Sequence, residues 1–339
     1  MANENRATLT IQEEFAQKIK AENRKEKIIR WAPVLVLVAL ILFFTIARGS
    51  AFASVNNLIA ILNQWAIPLL VALGLTFVIM LGSIDLSIDG TVGMSGSIAS
   101  VLVLNSLNTN NFGFLGILAG ILCSVLVGFL IGVIHVKLKV PSFMVSFAFM
   151  NICTGIGFIS YKGTPATVMD PVLKALPKTS FLGIPFITWV ALIVLVLCIY
   201  IQEFTPFGRH IYAVGTDETI PRSVGVNVDM VKIKVFTLAG FIFGIAGVIG
   251  LIRLGQGQTG IGKNLMFPAQ AAVVIGGTSL SGGKGGVINT IVGTLIMTVL
   301  INGLTMMGVD PNIKTGIQGV IILVAVILTV KRGATVIAK

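Results

Sequence analysis

Residues 112–134 read FGFLGILAGILCSVLVGFLIGVI, 23 positions without one Asp, Glu, Lys or Arg. A helix built on this stretch is apolar on every side. At 1.5 Å per residue, about 20 residues cross the roughly 30 Å hydrocarbon layer of a bilayer. The pattern repeats in both directions along the chain. Apolar runs fall at Trp31–Ala47, Leu58–Leu81, Leu86–Leu104, Phe112–Ile134 and Pro141–Ser160. After a longer loop come Phe186–Phe204, Val235–Leu251, Phe267–Leu280, Val287–Met307 and Ile313–Val330. These runs predict an all-α polytopic membrane protein with about ten transmembrane helices. The third and eighth runs are Gly-rich or short, the pattern of broken or half-helices. Composition agrees: of 339 residues 55% are hydrophobic and 11% charged, with a mean hydropathy of +0.98, whereas a soluble domain carries about 25% charged residues.

The formal charge of +11 reads as membrane orientation. With the N-terminus inside, the basic residues facing the cytoplasm are seven in the N-terminal tail and ten more. Those ten are Lys137, Lys139, Arg209, Arg222, Lys232, Lys234, Lys284, Lys331, Arg332 and Lys339. The other seven basic residues, among them Lys162, Lys174 and Lys178, fall outside, which satisfies the positive-inside rule with both termini cytoplasmic. Basic residues scattered through short loops do not make a nucleic-acid surface. The chain divides into a cytoplasmic segment 1–30, a membrane domain 31–330 and a tail 331–339. Segment 1–30 places Ile11, Phe15 and Ile19 at helical spacing among acids and bases. It reads as an amphipathic helix leading into an uncleaved first span, because no small-residue cleavage site follows the apolar core.

Catalytic groups are sparse. Cys123, Cys153 and Cys198 lie in separate apolar runs without metal-ligand spacing, and read as packing. His135 and His210 fall at span ends. No metal site, cofactor site or Ser-His-acid set is expected. Residues 276–286, GGTSLSGGKGG, contain LSGGK, one letter from the LSGGQ string of ABC ATPases. A phosphate loop requires G-x-x-x-x-G-K-[ST]; here Thr278 stands at the first glycine position and Gly285 follows Lys284. The string is not a nucleotide site, and its glycines read as tight turns and close backbone approach. Residues 82–90, GSIDLSIDG, repeat its Gly, Leu-Ser, Gly theme. There Asp85 and Asp89 admit two readings, pathway-lining carboxylates or caps of the third span.

Four stretches in one order and spacing carry a resemblance: GSIDLSIDG at 82–90, VPSFMVSFAFMNI at 140–152, FGRHIYAVGTDETIPRSVGVNVDMVKIKVF at 207–236 and AAVVIGGTSLSGGKGGVINTIVGTLI at 271–296. Together they resemble the permease subunits of ribose, galactose and xylose ABC importers, the monosaccharide branch of the branched-chain amino-acid permease superfamily. The resemblance covers residues 55 to 330. It implies a multi-pass permease of the bacterial cytoplasmic (inner) membrane, without enzyme activity of its own. A tandem ABC ATPase, an extracytoplasmic solute-binding protein and a second permease subunit, identical or different, would be its partners.

Carried over residue by residue, the family's turn falls on Gly82, Asp85, Leu86 and Ser87. Its pre-coupling sequence falls on Phe207, Gly208, Arg209, Ala213 and Gly215. Residues 205–234 are then the cytoplasmic coupling loop, with Gly215, Asp217, Glu218, Arg222, Gly225 and Asn227 as its contact set. Asp217 or Thr219 is placed to cap a short helix holding Arg222. Asp85, Ser87, Asp89, Gln256, Gln258, Gln270 and Asn302 are candidates for the pathway or its turns. Lys162, Lys174 and Lys178, opposed only by Asp170 in the external loop 161–185, are candidates for docking the binding protein. Three departures stand out: Asp89 where the family has glycine, Ile220-Pro221 in place of two alanines, and Met266-Phe267-Pro268 where the family carries a Glu-x-Asp pair. An amino acid, a nucleoside or a signalling molecule remains an alternative solute to a sugar. An ion-coupled secondary transporter is the distant alternative, for which only Asp85 and Asp89 are available as coupling carboxylates.

Overall fold

The computed structural model describes residues 31–329, so the amphipathic segment 1–30 and the tail 331–339 lie outside the described residues. Helix α1 spans Trp31–Ala51. It is followed by α2 (Val55–Met80), α3 (Ile88–Leu102), α4 (Phe114–Lys137) and α5 (Ser142–Ser160). The next elements are strand β1 (Ala166–Thr167), α6 (Pro171–Ala175), β2 (Ser180–Phe181), β3 (Ile184–Pro185) and α7 (Phe186–Phe204). Two short helices, α8 (Pro206–Thr216) and α9 (Thr219–Ser223), lead into α10 (Val228–Leu254). Strand β4 (Gln256–Gly257), α11 (Met266–Ile275), α12 (Val287–Met306) and α13 (Pro311–Thr329) complete the described chain.

Seven of these helices are long and apolar enough to cross a membrane: α1, α2, α4, α5, α7, α10 and α12. The expected third and eighth spans are shorter, α3 with 15 residues and α11 with 10. Each follows a stretch without α-helix, 81–87 before α3 and 255–265 before α11. The chain therefore enters these two helices part-way through the bundle.

Helix α10 is the axis of the packing. Asn227 starts it by accepting from Met230 N at 3.0 Å, and Gly255, at φ +71°, ends it in the left-handed conformation. Its expected start at Val235 is seven residues late. Asp229, Lys232 and Lys234 belong to its first turns, and charge so close to the apolar run hid the helix from the hydropathy pattern. Close approach to its neighbours depends on small residues. A Cβ at Gly240 would collide with Ser124 O of α4, and one at Gly247 with Val92 O of α3. Without side chains at these points the helices touch backbone to backbone, the packing that lipid favours.

These contacts also fix direction. Helix α3 runs with α5 and α10: its Gly90 meets Met150, its Met94 meets Gly157 and its Gly96 meets Gly247. Helices α2 and α4 run against α10: Gly74 meets Phe243 while Ile67 meets Gly250, and Gly132 meets Ile233 while Ile121 meets Gly244. Met80, Ser142, α8, α9 and loop 276–286 therefore share one end of the bundle. The opposite end holds β1 paired with β4, with Ala166 opposite Gly257 and Thr167 opposite Gln256. Two cysteines test this polarity in a background lacking Cys123, Cys153 and Cys198. Ser223→Cys should react only from the cytoplasmic side of intact membranes, and Lys174→Cys only from outside. Labelling of both from one side contradicts the topology.

Candidate coupling site and pathway residues

The charged stretch 205–234, expected as a loop, is mostly helix. Thr205 starts α8 by accepting from Gly208 N at 3.3 Å, and Pro206 occupies the first turn, where a missing N–H costs nothing. Asp217 Oδ1 then accepts from Thr219 N at 2.9 Å and from Thr219 Oγ1 at 2.7 Å, turning the chain into α9. Pro221 lies in the first turn of α9 and is buried. Gly225 has φ +84°, a conformation that suits glycine and lets the chain turn from α9 towards α10.

Two ion pairs brace α9 on α10. Lys232 Nζ meets Glu218 Oε1 at 2.7 Å, and Arg222 Nη2 meets Asp229 Oδ1 at 3.2 Å. The Arg222 side chain remains 59% exposed. The sequence placed Arg222 as a group reserved for another protein, whereas its guanidinium already rests on an acid of its own chain. Exposed pairs of this kind contribute at most about 1 kcal/mol, so this one orients α9 more than it stabilises it. What sequence reasoning missed is apolar: Ile220 is 63% and Val224 75% exposed. Their signal was two branched apolar residues in an otherwise polar segment.

The pathway candidates fall in a different region. Segment 81–87 has its amides met by side chains of α5: Ser142 Oγ accepts from Ile84 N at 3.1 Å and Ser146 Oγ from Leu86 N at 2.9 Å. Asp85 is buried and accepts from Ser87 N at 2.8 Å. Ser87 precedes α3, and its side chain makes no capping bond there. Asp89 does not cap α3 either. Its carboxylate accepts from Asn264 N at 3.0 Å, Leu265 N at 3.2 Å and Met266 N at 2.8 Å. It thus sits on the N-terminus of α11, where both free amides and helix dipole favour an anion. The first turn of α11, Met266-Phe267-Pro268, has no acid of its own; the carboxylate arrives from α3.

Gln256 lies in β4 and Gln258 just beyond it. Gln270 of α11 and Asn302 of α12 share a further property. Among the described residues, Asn63 Oδ1, Gln270 Nε2, Thr298 Oγ1 and Asn302 Oδ1 are buried without a hydrogen-bond partner. Asn302 ends a polar series at four-residue spacing on α12. Thr290 Oγ1 meets Thr76 Oγ1 at 2.6 Å and Thr294 Oγ1 accepts from Trp65 Nε1 at 2.8 Å, whereas Thr298 and Asn302 are unmet. The i, i+4 repeat of Thr290, Thr294 and Thr298 is the sequence signal for this series. Lys162, Lys174 and Lys178 are exposed at the opposite end of the bundle from α9. The structure therefore separates the candidates into three places: Gly215 to Asn227 at one end, the three lysines at the other, and the remainder between or towards the lysine end. Among the described residues no cluster of His, Cys, Asp and Glu can hold a metal ion.

Comparison with known proteins matches residues 57–326 to the family described as branched-chain amino acid transport system / permease component. The ribose import permease protein RbsC of Haemophilus influenzae is 36% identical over 251 residues, 72% of this chain and 76% of that protein. The protein of the same name from Bacillus subtilis is 33% identical over 304 residues, 89% of this chain and 93% of its own length. The autoinducer 2 import system permease protein LsrC of Salmonella paratyphi B is 30% identical over 256 residues, covering 75% of this chain and 72% of that protein. No solved structure matches the chain.

The Asp89 contact predicts a graded response. Asp89→Ala leaves the amides of Asn264, Leu265 and Met266 without their acceptor, at a cost of about 1–3 kcal/mol. It should lower the thermal midpoint in detergent and raise the reactivity of a cysteine placed at Lys263. Asp89→Asn, which keeps one acceptor oxygen, should fall between. Equal midpoints for all three chains would remove Asp89 from this role.

Proposed function

Because the chain belongs to the branched-chain amino acid transport system / permease component family, we propose that it is the membrane subunit of an ATP-driven importer for a sugar or sugar-like solute. A separate ABC ATPase supplies the energy, and a solute-binding protein on the external side delivers the solute. A second permease chain, identical or different, completes the membrane unit. The observation that carries the coupling half of this reading is α9: a short helix, braced by two ion pairs, that presents Ile220 and Val224 to solvent at the end bearing the coupling segment. An apolar edge held rigid in this way is suited to a groove on a partner, where burying each side chain contributes about 1.5–3 kcal/mol.

The unmet polar atoms of α2, α11 and α12 support a route for a hydroxylated solute near those helices. Polar side chains without partners are costly inside a membrane, and water or a solute with hydroxyl groups supplies what Thr298 and Asn302 lack. The exposed lysines Lys162, Lys174 and Lys178 suit an acidic surface of the binding protein, where such charges act mainly on association rate. A signalling molecule is the second reading of the solute, because the relatives include an autoinducer 2 import permease beside the ribose import permeases.

Ile220→Asp should reduce co-purification of the ATPase by ten-fold or more, the factor set by roughly 1.5 kcal/mol. Arg222→Glu should do so less strongly, through repulsion from Asp229 and loss of the brace. Arg332→Glu, a charge reversal in the tail, should have no effect. ATPase retention by Ile220→Asp at the parent level contradicts the assignment of α9.

A further inference from the structure

Loop 276–286 lies at the same end as α9, where its main-chain groups meet both peptide and side-chain partners. Gly283 N donates to Met80 O, at the end of α2, at 2.9 Å. Tyr212 Oη of α8 donates to Gly285 O at 2.7 Å. Gln202 Oε1 of α7 accepts from Val287 N at 2.7 Å, and Thr278 Oγ1 accepts from Gly286 N at 3.2 Å. Ser279 N donates to Lys284 O at 3.1 Å and closes the loop on itself. Backbone approach completes the contact. A Cβ on Gly282 would lie 2.7 Å from both Gly215 O and Gly82 N, and one on Gly215 would collide with Met80 O. Gly282 and Gly283 have φ of +81° and +68°, a left-handed path that aims their peptide groups at the neighbours.

We propose that Tyr212 and Gly215 are positioning residues of transport, which clasp loop 279–285 so that movement of the coupling segment is passed to α2, α11 and α12. The proposal rests on the reading of α9 as the seat of the ATPase and adds the path by which its displacement leaves that seat. Only Asp217 and Glu218 separate α8 from α9. On its other side the loop joins the end of α11 directly to the start of α12, and Gly283 is bonded to the end of α2. The contacts of Gly282 with Gly215 and of Gly283 with Met80 are between peptide groups, which have no rotamer to absorb a shift, and the Tyr212 ring adds one side-chain bond beside them. A displacement of α8 therefore moves three helix ends together. Those helices carry the α11 N-terminus held by Asp89 and the polar series Thr290 to Asn302. Burial, reinforced by the charge of Glu203, holds the Tyr212 hydroxyl above the usual phenol range, so it remains a hydrogen-bond donor to Gly285 O at physiological pH.

The test uses the full complex of permease, ATPase and binding protein, with Lys263→Cys as reporter ahead of α11. In the parent complex, trapping with ATP and vanadate should change the rate at which this cysteine reacts with a maleimide. Tyr212→Phe keeps the ring and removes one hydrogen bond. It should retain the ATPase on purification and its hydrolysis, yet reduce the trapped change about fivefold, the factor one net hydrogen bond carries. Gly215→Ala, which wedges the clasp apart, should reduce it further. If Gly215→Ala does not fold, Tyr212→Phe decides alone. Three results overturn the clasp: no trapped change in the parent, an undiminished change in Tyr212→Phe, or loss of the ATPase from Tyr212→Phe. Loss of the ATPase from Ile220→Asp tests the α9 reading separately, so the two failures are distinguishable.

Discussion

Inside a bilayer every peptide group must find its partner within the protein, because lipid offers none. Helices meet this requirement automatically, and this chain departs from helix at two places in its bundle, 81–87 and 255–265. Each departure is met by named groups. Ser142 and Ser146 take the amides of Ile84 and Leu86, and Asp89 takes three amides at the start of α11. Both α3 and α11 are short as a consequence. Glycine completes the arrangement, since α10 meets the backbones of α4 and α3 at Gly240 and Gly247, where a Cβ is absent.

Much of this was legible in the sequence. The long charge-free runs mark α1, α2, α4, α5, α7, α10 and α12, because about 17 or more apolar residues have few alternatives to a membrane helix. The weak third and eighth runs were legible as weakness, and they are the short helices α3 and α11. What failed were features fixed by contacts distant in sequence. Lys232 and Lys234 made the start of α10 look like loop, although Asn227 caps the helix and Lys232 is neutralised by Glu218. Asp89 read as a pathway or cap residue of its own helix, and nothing local reveals that its partners lie some 175 residues further on. Arg222 looked free because its partner is on the next helix.

The candidate site follows the same division. Asp217 or Thr219 was expected to cap the short helix holding Arg222; Glu218 stands at that position without a side-chain capping bond, and Asp217 turns the chain one residue earlier. Ile220 stood out only as a departure from the family pattern, and the exposure of Ile220 and Val224 was not legible, since an apolar residue in a polar segment normally faces inward. The LSGGK string shows how chemistry and context part company. Its glycines, which in an ATPase would face a nucleotide, here approach Met80, Gly82 and Gly215 of the same chain.

The central claim is that this chain moves its solute only when a separate ATPase works against it. Proteoliposomes holding the chain alone, or with its ATPase and binding protein, separate the possibilities when uptake of labelled ribose and of autoinducer 2 is followed under imposed gradients. The account predicts that uptake of either needs all three components and ATP, and that the chain alone gives none under a proton or sodium gradient. Gradient-driven accumulation by the chain alone, without nucleotide, would contradict it.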